Sequence, residues 1–437
     1  MVVTGLGMVS PAGVGVTAGW EAICRGLGTG RREHDPGDGS GLTAEPHVGD
    51  GSRAAPPTGP LAADAPAPGS PSRRPRAYVT CRVPGFDADA LLGAQRAHRL
   101  ERFSQFALVA AMEALADAGL DTGDWDGTRV GVVIGNSMGG VPAYSLAHRT
   151  LDSTGPHSVS ALLLPQFLSN MVAGQVAIAF GATGPCLVVN TACASGATAI
   201  GTARDLLLSG RCDIVVTGGT EAALTPVVLS GFAQLGALAA AGGEPAAASR
   251  PFDTARDGFV IAEGAGILVL EREEHARARR ARVHARLAGY GAAADAHHPV
   301  APHPEGAGLA AAIRAALADA GLGASDVDHV NAHATGTPRG DEVEAATLAR
   351  LLPHRPLVTS VKGVTGHTLG AAGAIEAVCS VLSVARGTVP PTANLGTADP
   401  GNELDIARSV VRRKVDVALT TSVGFGGQNA ALAVTAP

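Results

Sequence analysis

The chain has 437 residues, of which 46% are apolar, 3% aromatic and 16% charged, with a formal net charge of −6 and a mean hydropathy of +0.20. That length supports a large core in one intertwined α/β unit, and without a basic run no nucleic-acid binding is expected. Six scattered cysteines without a CxxC pair indicate neither a zinc site nor a disulfide framework. MVVTGLGMVSPAG lacks the basic start and apolar core of a signal peptide, and no apolar run reads as a membrane span, so a cytoplasmic protein is expected.

In chain order, residues 31–77 stand out first. They are rich in Pro, Gly, Ala and charge and have almost no large apolar residue. Such a segment cannot bury enough surface to offset its ordering entropy, so a flexible surface loop inserted into a folded domain is expected, with a partner-docking arm as the alternative. A helix follows over 102–119, then a strand at RVGVVIG (129–135). CLVVN (186–190) and DIVVTGG (213–219) read as strands around a helix at 197–210, and GILVLE (266–271) as another strand. Further on, helices at 308–321, 342–352 and 371–387 alternate with strands at HVNAH (329–333), LVTSV (357–361) and VALTTSVGFGG (417–427). Several strands are apolar throughout, which suits a sheet covered on both faces. TACASGATAIGTARDLLLSGRCDIVV and TGHTLGAAGAIEAVCSVLSVARGTVP echo each other, each placing a reactive-type residue in a small-residue turn before a helix. A duplicated strand–helix unit is the natural reading, with halves at 1–248 and 249–437.

Chemistry gathers at three turns. Cys193 lies where the apolar run CLVVN meets the helix, flanked by Ala192, Ala194, Ser195 and Gly196. The positive end of a helix and its free N–H groups favour thiolate, so a lowered pKa is expected there. Small neighbours leave room for a substrate and for N–H groups to approach an oxyanion. NAHATGTPRGDEVEA (331–345) ends a strand with His333, and SVKGVTGHTLGAAGA (360–374) carries Lys362 and His367. Sheet enzymes place chemistry at such strand ends. Asp341 is expected to cap its helix. DAHHPVAPHPEG (295–306) has three histidines but no Cys or carboxylate at ligand spacing, so no metal is expected.

TACASG, NAHATGTPRGDEVE, SVKGVTGHTLGAAGA and SVGFGGQNAAL together resemble the condensing enzymes, the β-ketoacyl-acyl-carrier-protein synthases of the thiolase fold. The match is nearest the elongating synthase II type and stand-alone polyketide ketosynthases. VVTGLGMVSPAG, GNSMGG (135–140) and SRPFDTARDGFVIAEGAG (249–266) extend it over nearly the whole chain, and the 31–77 segment is the clear departure. The resemblance implies an αβαβα layering from two duplicated halves and a decarboxylative Claisen condensation by Cys193, His333 and His367. It implies a Lys362–Glu344 pair that orients the histidines. It also implies an oxyanion site from the N–H groups of Cys193 and Phe425, with Phe425 as a gate. Met138 matches a position lining the acyl pocket, and Thr335, Thr337 and Gly426 match substrate-binding positions. Residues 295–306 match a second mobile loop at the entrance. No cofactor is implied beyond the phosphopantetheine that carries the substrates on acyl carrier protein. Arg96, Arg99 and Arg102, spaced as one helical face, match the docking region for that acidic partner. A homodimer, or a heterodimer with a chain-length-factor-like subunit, is implied.

Two rivals remain at this level. A non-catalytic chain-length factor normally lacks the cysteine, which is present here. A coenzyme A thiolase would carry a second cysteine near the C-terminus, and SVGFGGQNAAL has none. The motifs serve fatty acid and polyketide building alike.

Overall fold

A computed structural model describes residues 1–34 and 77–437. Twelve strands form one hydrogen-bonded sheet, and its order exposes a duplication. The first half contributes Val2–Ser10, Val130–Gly135, Cys186–Val189, Ile214–Glu221 and Gly264–Glu271. The second contributes Ala285–Ala294, His329–Asn331, Leu357–Thr359, Val417–Gly424 and Gln428–Thr435. Read inward, each half has the order third, second, fourth, fifth, first, with the short strand Asp405–Ile406 added outside the third strand of the second half. In each, the second strand runs parallel to the third and fourth, and the fourth and fifth are antiparallel. The two first strands meet at Val2–Arg286 and Val3–Ala285. Gly264–Glu271 therefore completes the first half, and the change of half lies in 272–284, not at 248/249.

Alternation along single strands fixes the layers. On Gly264–Glu271, Ala265, Ile267 and Val269 face one apolar cluster with helix Arg102–Ala118. Leu268 and Leu270 face another, shared with helices Ser195–Leu208 and Ala372–Arg386. Helix Ala307–Ala320 covers the outer face of the second half. The result is the expected αβαβα stack, with two helices between sheet halves covered on both faces. The two central helices cross on small residues. A Cβ on Gly196 would sit 2.7 Å from the Ala374 nitrogen, so only glycine permits this approach.

Both central helices occupy the same place in their halves, between the third and fourth strands. Cys193 precedes one and His367 the other, so the sequence echo is the duplication itself. Leu369–Arg386 is apolar enough by length and composition to cross a membrane, with mean hydropathy 1.4 over 18 residues, which the sequence reading overlooked. It is 89% buried as the central core helix.

The ends of the 31–77 segment are ordered. Arg31–His34 and Ala77–Cys81 pair antiparallel, and Ala77–Cys81 pairs parallel with Ile261–Ala262. The expected loop thus begins and ends in strands, and residues 35–76 lie outside the described part of the chain.

Candidate active site

Cys193, His333 and His367 line one cavity of about 360 Å³. Cys193 and His333 come from loops directly after sheet strands, and His367 from the turn after the short helix Lys362–Thr365 that follows Leu357–Thr359. Ala192, with φ of 50°, turns the chain sharply before Cys193. Asn190 holds that turn: its side chain donates to Ser137 O (2.9 Å) and accepts from the Ala192 N–H (3.1 Å). The helix starts at Ser195, two residues beyond the sulfur. Burial pushes the thiol up to about 12, against the charge of Lys362 and the Phe425 N–H, which donates to the sulfur. The lowered pKa expected from the helix end is therefore not the resting state, because desolvation outweighs it.

The approach of the Phe425 loop depends on Gly424. A Cβ there would lie 2.5 Å from Thr191 O and 3.2 Å from the Cys193 nitrogen. Gly426 and Gly427 follow at φ of 80° and 71°, a left-handed path open to glycine. The Phe425 ring lies 6.2 Å from Phe232. Gly426 N–H donates to Pro299 O and Asp295 N–H to Gly427 O, which ties residues 295–306 to this loop at the cavity mouth. The histidines of that segment serve the loop itself: His298 Nδ1 accepts from Val300 and Ala301, and His303 Nδ1 from Glu305. Among the described residues no group of three or more His, Cys, Asp or Glu side chains is placed to hold a metal.

The two imidazoles stand nearly perpendicular, with ring centroids 5.3 Å apart. Burial and the nearby Lys362 ammonium hold both well below the usual histidine range, so they are neutral at physiological pH. Lys362 Nζ lies 3.3 Å from His333 Nδ1. An ammonium only donates, so Nδ1 is the acceptor and the ring proton sits on Nε2. The His367 backbone is pinned by hydrogen bonds with Val260 and Ala262, and the Phe259 ring stands edge-on to its imidazole at 5.3 Å.

The expected Lys362–Glu344 pair is corrected. Lys362 bonds to Glu376, with both side chains 1% exposed. Glu344 instead accepts from the N–H groups of His333 (2.9 Å) and Ala334 (2.7 Å) and from Thr421 Oγ1 (2.7 Å), fixing the His333 turn. Sequence reasoning missed Glu376, although a lone acid inside AAGAIEAVCSVLSVA was the available signal. Asp341 is not a cap either, since its helix starts earlier, at Pro338. Its buried carboxylate, pushed up to about 7 by burial, accepts from the N–H groups of Phe252 (2.8 Å) and Gly336 (3.1 Å).

Thr335 and Thr337 line the cavity, with their hydroxyls 3.2 Å apart. Gly426 is exposed at its lip. Met138 does not line it. It packs in an apolar cluster with Phe232, Phe259, Leu369, Cys193 and Phe425. Arg96 and Arg99 are exposed on the short helix Ala94–Arg99. Arg102 does not continue their face. The chain is extended at Leu100 and Glu101, and Arg102 turns inward to form a two-point salt bridge with buried Glu263 (2.9 and 2.7 Å).

A family model described as "Beta-ketoacyl synthase, N-terminal domain" matches residues 1–276, and its "C-terminal domain" counterpart matches 284–396. The chain belongs to the β-ketoacyl synthase family. It is 36% identical over 438 residues to 3-oxoacyl-[acyl-carrier-protein] synthase 2 of Vibrio cholerae, covering 99% of this chain and 98% of the relative. The enzyme of the same name from Staphylococcus aureus is 42% identical over 360 residues, covering 81% and 86%. A β-ketoacyl synthase from Burkholderia phymatum superposes with a TM-score of 0.84 at 32% identity, covering 100% and 99%. A type II polyketide ketosynthase solved with its acyl-carrier protein and a bound hexaketide gives 0.83 at 31%, covering 100% and 98%. This β-ketoacyl synthase thus has the thiolase-like fold. It is a condensing ketosynthase, an acyltransferase of fatty acid or polyketide biosynthesis. The two family models change over at 276/284, in the same interval as the structural halves.

Proposed function

We propose that this synthase lengthens an acyl chain by two carbons, with Cys193 as nucleophile, His333 and His367 as paired oxyanion donors, and acyl carrier protein as the partner delivering both substrates. The carrying observation is the shared cavity: one cysteine with a backbone N–H on its sulfur, facing two histidines held neutral.

The Cys193 thiol gives up its proton and attacks the acyl thioester, and the phosphopantetheine thiol leaves carrying a proton. Splitting the reaction through an acyl-enzyme replaces one hard carbon–carbon bond formation with two easier steps. The N–H groups of Phe425 and Cys193 face the carbonyl oxygen as it becomes an oxyanion. A malonyl thioester then loses carbon dioxide, and the electron pair of the broken bond passes into an enolate. Neutral His333 and His367 each donate a hydrogen bond to the enolate oxygen. Neutrality suits this task, since an imidazolium would risk protonating the carbanion carbon. The enolate carbon attacks the acyl-Cys193 carbonyl, the C–S bond breaks to leave the Cys193 thiolate, which takes up a proton from water, and the 3-oxoacyl thioester leaves on its carrier. Thr335 and Thr337 offer hydroxyls to the amide-bearing phosphopantetheine arm. Arg96 and Arg99 form the basic part of the carrier's landing site. The strand Cys186–Val189 is one of the sheet's two edges, with Cys186 and Leu187 exposed. Such an edge is a template for another chain, so a second copy or a chain-length-factor-like subunit pairs there. A cytoplasmic location fits the burial of Leu369–Arg386, the one helix among the described residues long and apolar enough to cross a membrane.

Intact-protein mass spectrometry tests the reading. Purified protein is mixed with acyl-carrier proteins bearing short and long chains, and malonyl-carrier protein is then added. The expected result is an acyl adduct on Cys193, then a ketoacyl product two carbons longer. Cys193→Gln should decarboxylate malonyl-carrier protein without condensing it. Elongation retained by a soluble Cys193→Ala protein overturns the mechanism.

A further inference from the structure

Glu221 ends the strand Ile214–Glu221 and has no exposed surface. The mechanism gives it no part. Its carboxylate nevertheless gathers donors from two separate segments. From the loop after Val130–Gly135 it accepts from Asn136 Nδ2 (3.1 Å), the Ser137 N–H (3.0 Å), the Ser137 hydroxyl and the Met138 N–H (3.4 Å). From the turn after His367 it accepts from the Gly370 N–H (3.3 Å). Burial still pushes the carboxyl up to about 6, so the group is held in place against a desolvation penalty.

The two segments it joins both contribute to one apolar cluster. Met138 sits on the first and Leu369 on the second, and both pack with Phe259 and Cys193. The segments are pressed together: a Cβ on Gly370 would lie 2.8 Å from both Glu221 Oε2 and the Ser137 nitrogen. Asn190 ties the same loop to the nucleophile turn through Ser137 O and the Ala192 N–H.

We propose that Glu221 is a positioning residue for chain-length selection, clamping the Met138 loop to the Leu369–Gly370 turn and so fixing how far the apolar cluster around Cys193 can part to admit an acyl chain. This rests on the reading of Cys193 as the acyl carrier. Glu221→Gln keeps size but turns one acceptor oxygen into an amide that faces backbone N–H groups. Whichever way the amide turns, its NH2 meets donors, either Asn136 Nδ2 and the Met138 N–H or the Ser137 and Gly370 N–H groups, so the clamp loosens.

The test is the rate of Cys193 acylation, read by intact mass, with butyryl-, octanoyl-, dodecanoyl- and palmitoyl-carrier protein. In Glu221→Gln the long-to-short rate ratio should change by about tenfold, the discrimination that one methylene of pocket room supplies. Ser137→Ala, which removes one donor from the clamp, should move the ratio the same way by less. A role in folding alone would scale every chain length by one factor. Wild-type acylation with unchanged ratios in both variants overturns this inference and leaves the condensing reading intact. If Glu221→Gln does not fold, the Ser137→Ala ratio decides. Failure of wild-type protein to acylate with any donor overturns the condensing reading and this inference together.

Discussion

Gly424→Ala should separate catalysis from stability. The new Cβ would sit 2.5 Å from Thr191 O and 3.2 Å from the Cys193 nitrogen, against an optimal separation of about 3.5 Å. Relief requires the strand end and the nucleophile turn to part by about 1 Å. Both are backbone, so no rotamer change can absorb it. The Phe425 N–H that now reaches the Cys193 sulfur would move from about 3 Å to about 4 Å from an oxyanion, beyond hydrogen-bond range. Losing one oxyanion donor raises the barrier by about 3–4 kcal/mol, a fall in kcat of roughly 10²–10³. Overpacking itself costs about 1–3 kcal/mol. With unfolding entropy near 2.1 cal/mol/K per residue and 437 residues, that lowers Tm by only about 1–3 °C. Steady-state kcat and a thermal melt on the same preparation supply both readings. A folded variant with kcat within about threefold of wild type would refute the placement of this donor.

Three further outcomes are expected. Burial holds His329 at about 4 against about 6.5 unfolded, so the native state binds fewer protons across that window, and stability present above pH 6.5 is lost as pH falls toward 4, by about 3 kcal/mol. His329→Phe removes that term, so the Tm gap between wild type and variant should shift by about 3 °C between pH 7 and pH 4, and a pH-independent gap counts against it. Lys362→Met leaves Glu376 without its partner in the core and should destabilise by about 3–5 kcal/mol, whereas Lys362→Met/Glu376→Gln should recover most of the loss in a denaturation series; equal losses in the single and double variants refute the pairing. Glu344→Gln disturbs the acceptor of the His333 and Ala334 N–H groups, so decarboxylation of malonyl-carrier protein should fall by about tenfold or more with the Cys193 acylation rate nearly unchanged; an equal fall in both steps argues against a role specific to the His333 turn.

Much of the site was legible in the sequence because its parts are local. Cys193, His333 and His367 each stand in a small-residue turn after an apolar run, and those runs are strands. The echo between TACASG and TGHTLG reflects two equivalent places in a duplicated sheet. Partners across the fold were not legible. Whether Lys362 meets Glu344 or Glu376 depends on which face of Ala372–Arg386 points at the cavity, and spacing along the chain does not carry that information. Arg102 matched a helical face by number, but the chain breaks at Leu100 and Glu101, and the buried carboxylate of Glu263 draws the guanidinium inward.

The sequence alone carried the class of chemistry, the alternation of strand and helix, and the strand-end turns that hold Cys193, His333 and His367. The alternation is written in the burial periodicity, and the chemistry in the motifs shared with the condensing enzymes. Tertiary structure alone decided three things. It made Ala285–Ala294 a strand although ARLAGYGAAA has little β propensity, because Ala292 and Leu287 pair with Ala430 and Val434, and Gly289 and Gly291 let helix Ala307–Ala320 close over them. It set the resting thiol high, since desolvation is a property of what surrounds the sulfur and not of the residues beside it. It also brought seven separate stretches of the chain to one cavity, a matter of strand order that no single segment encodes.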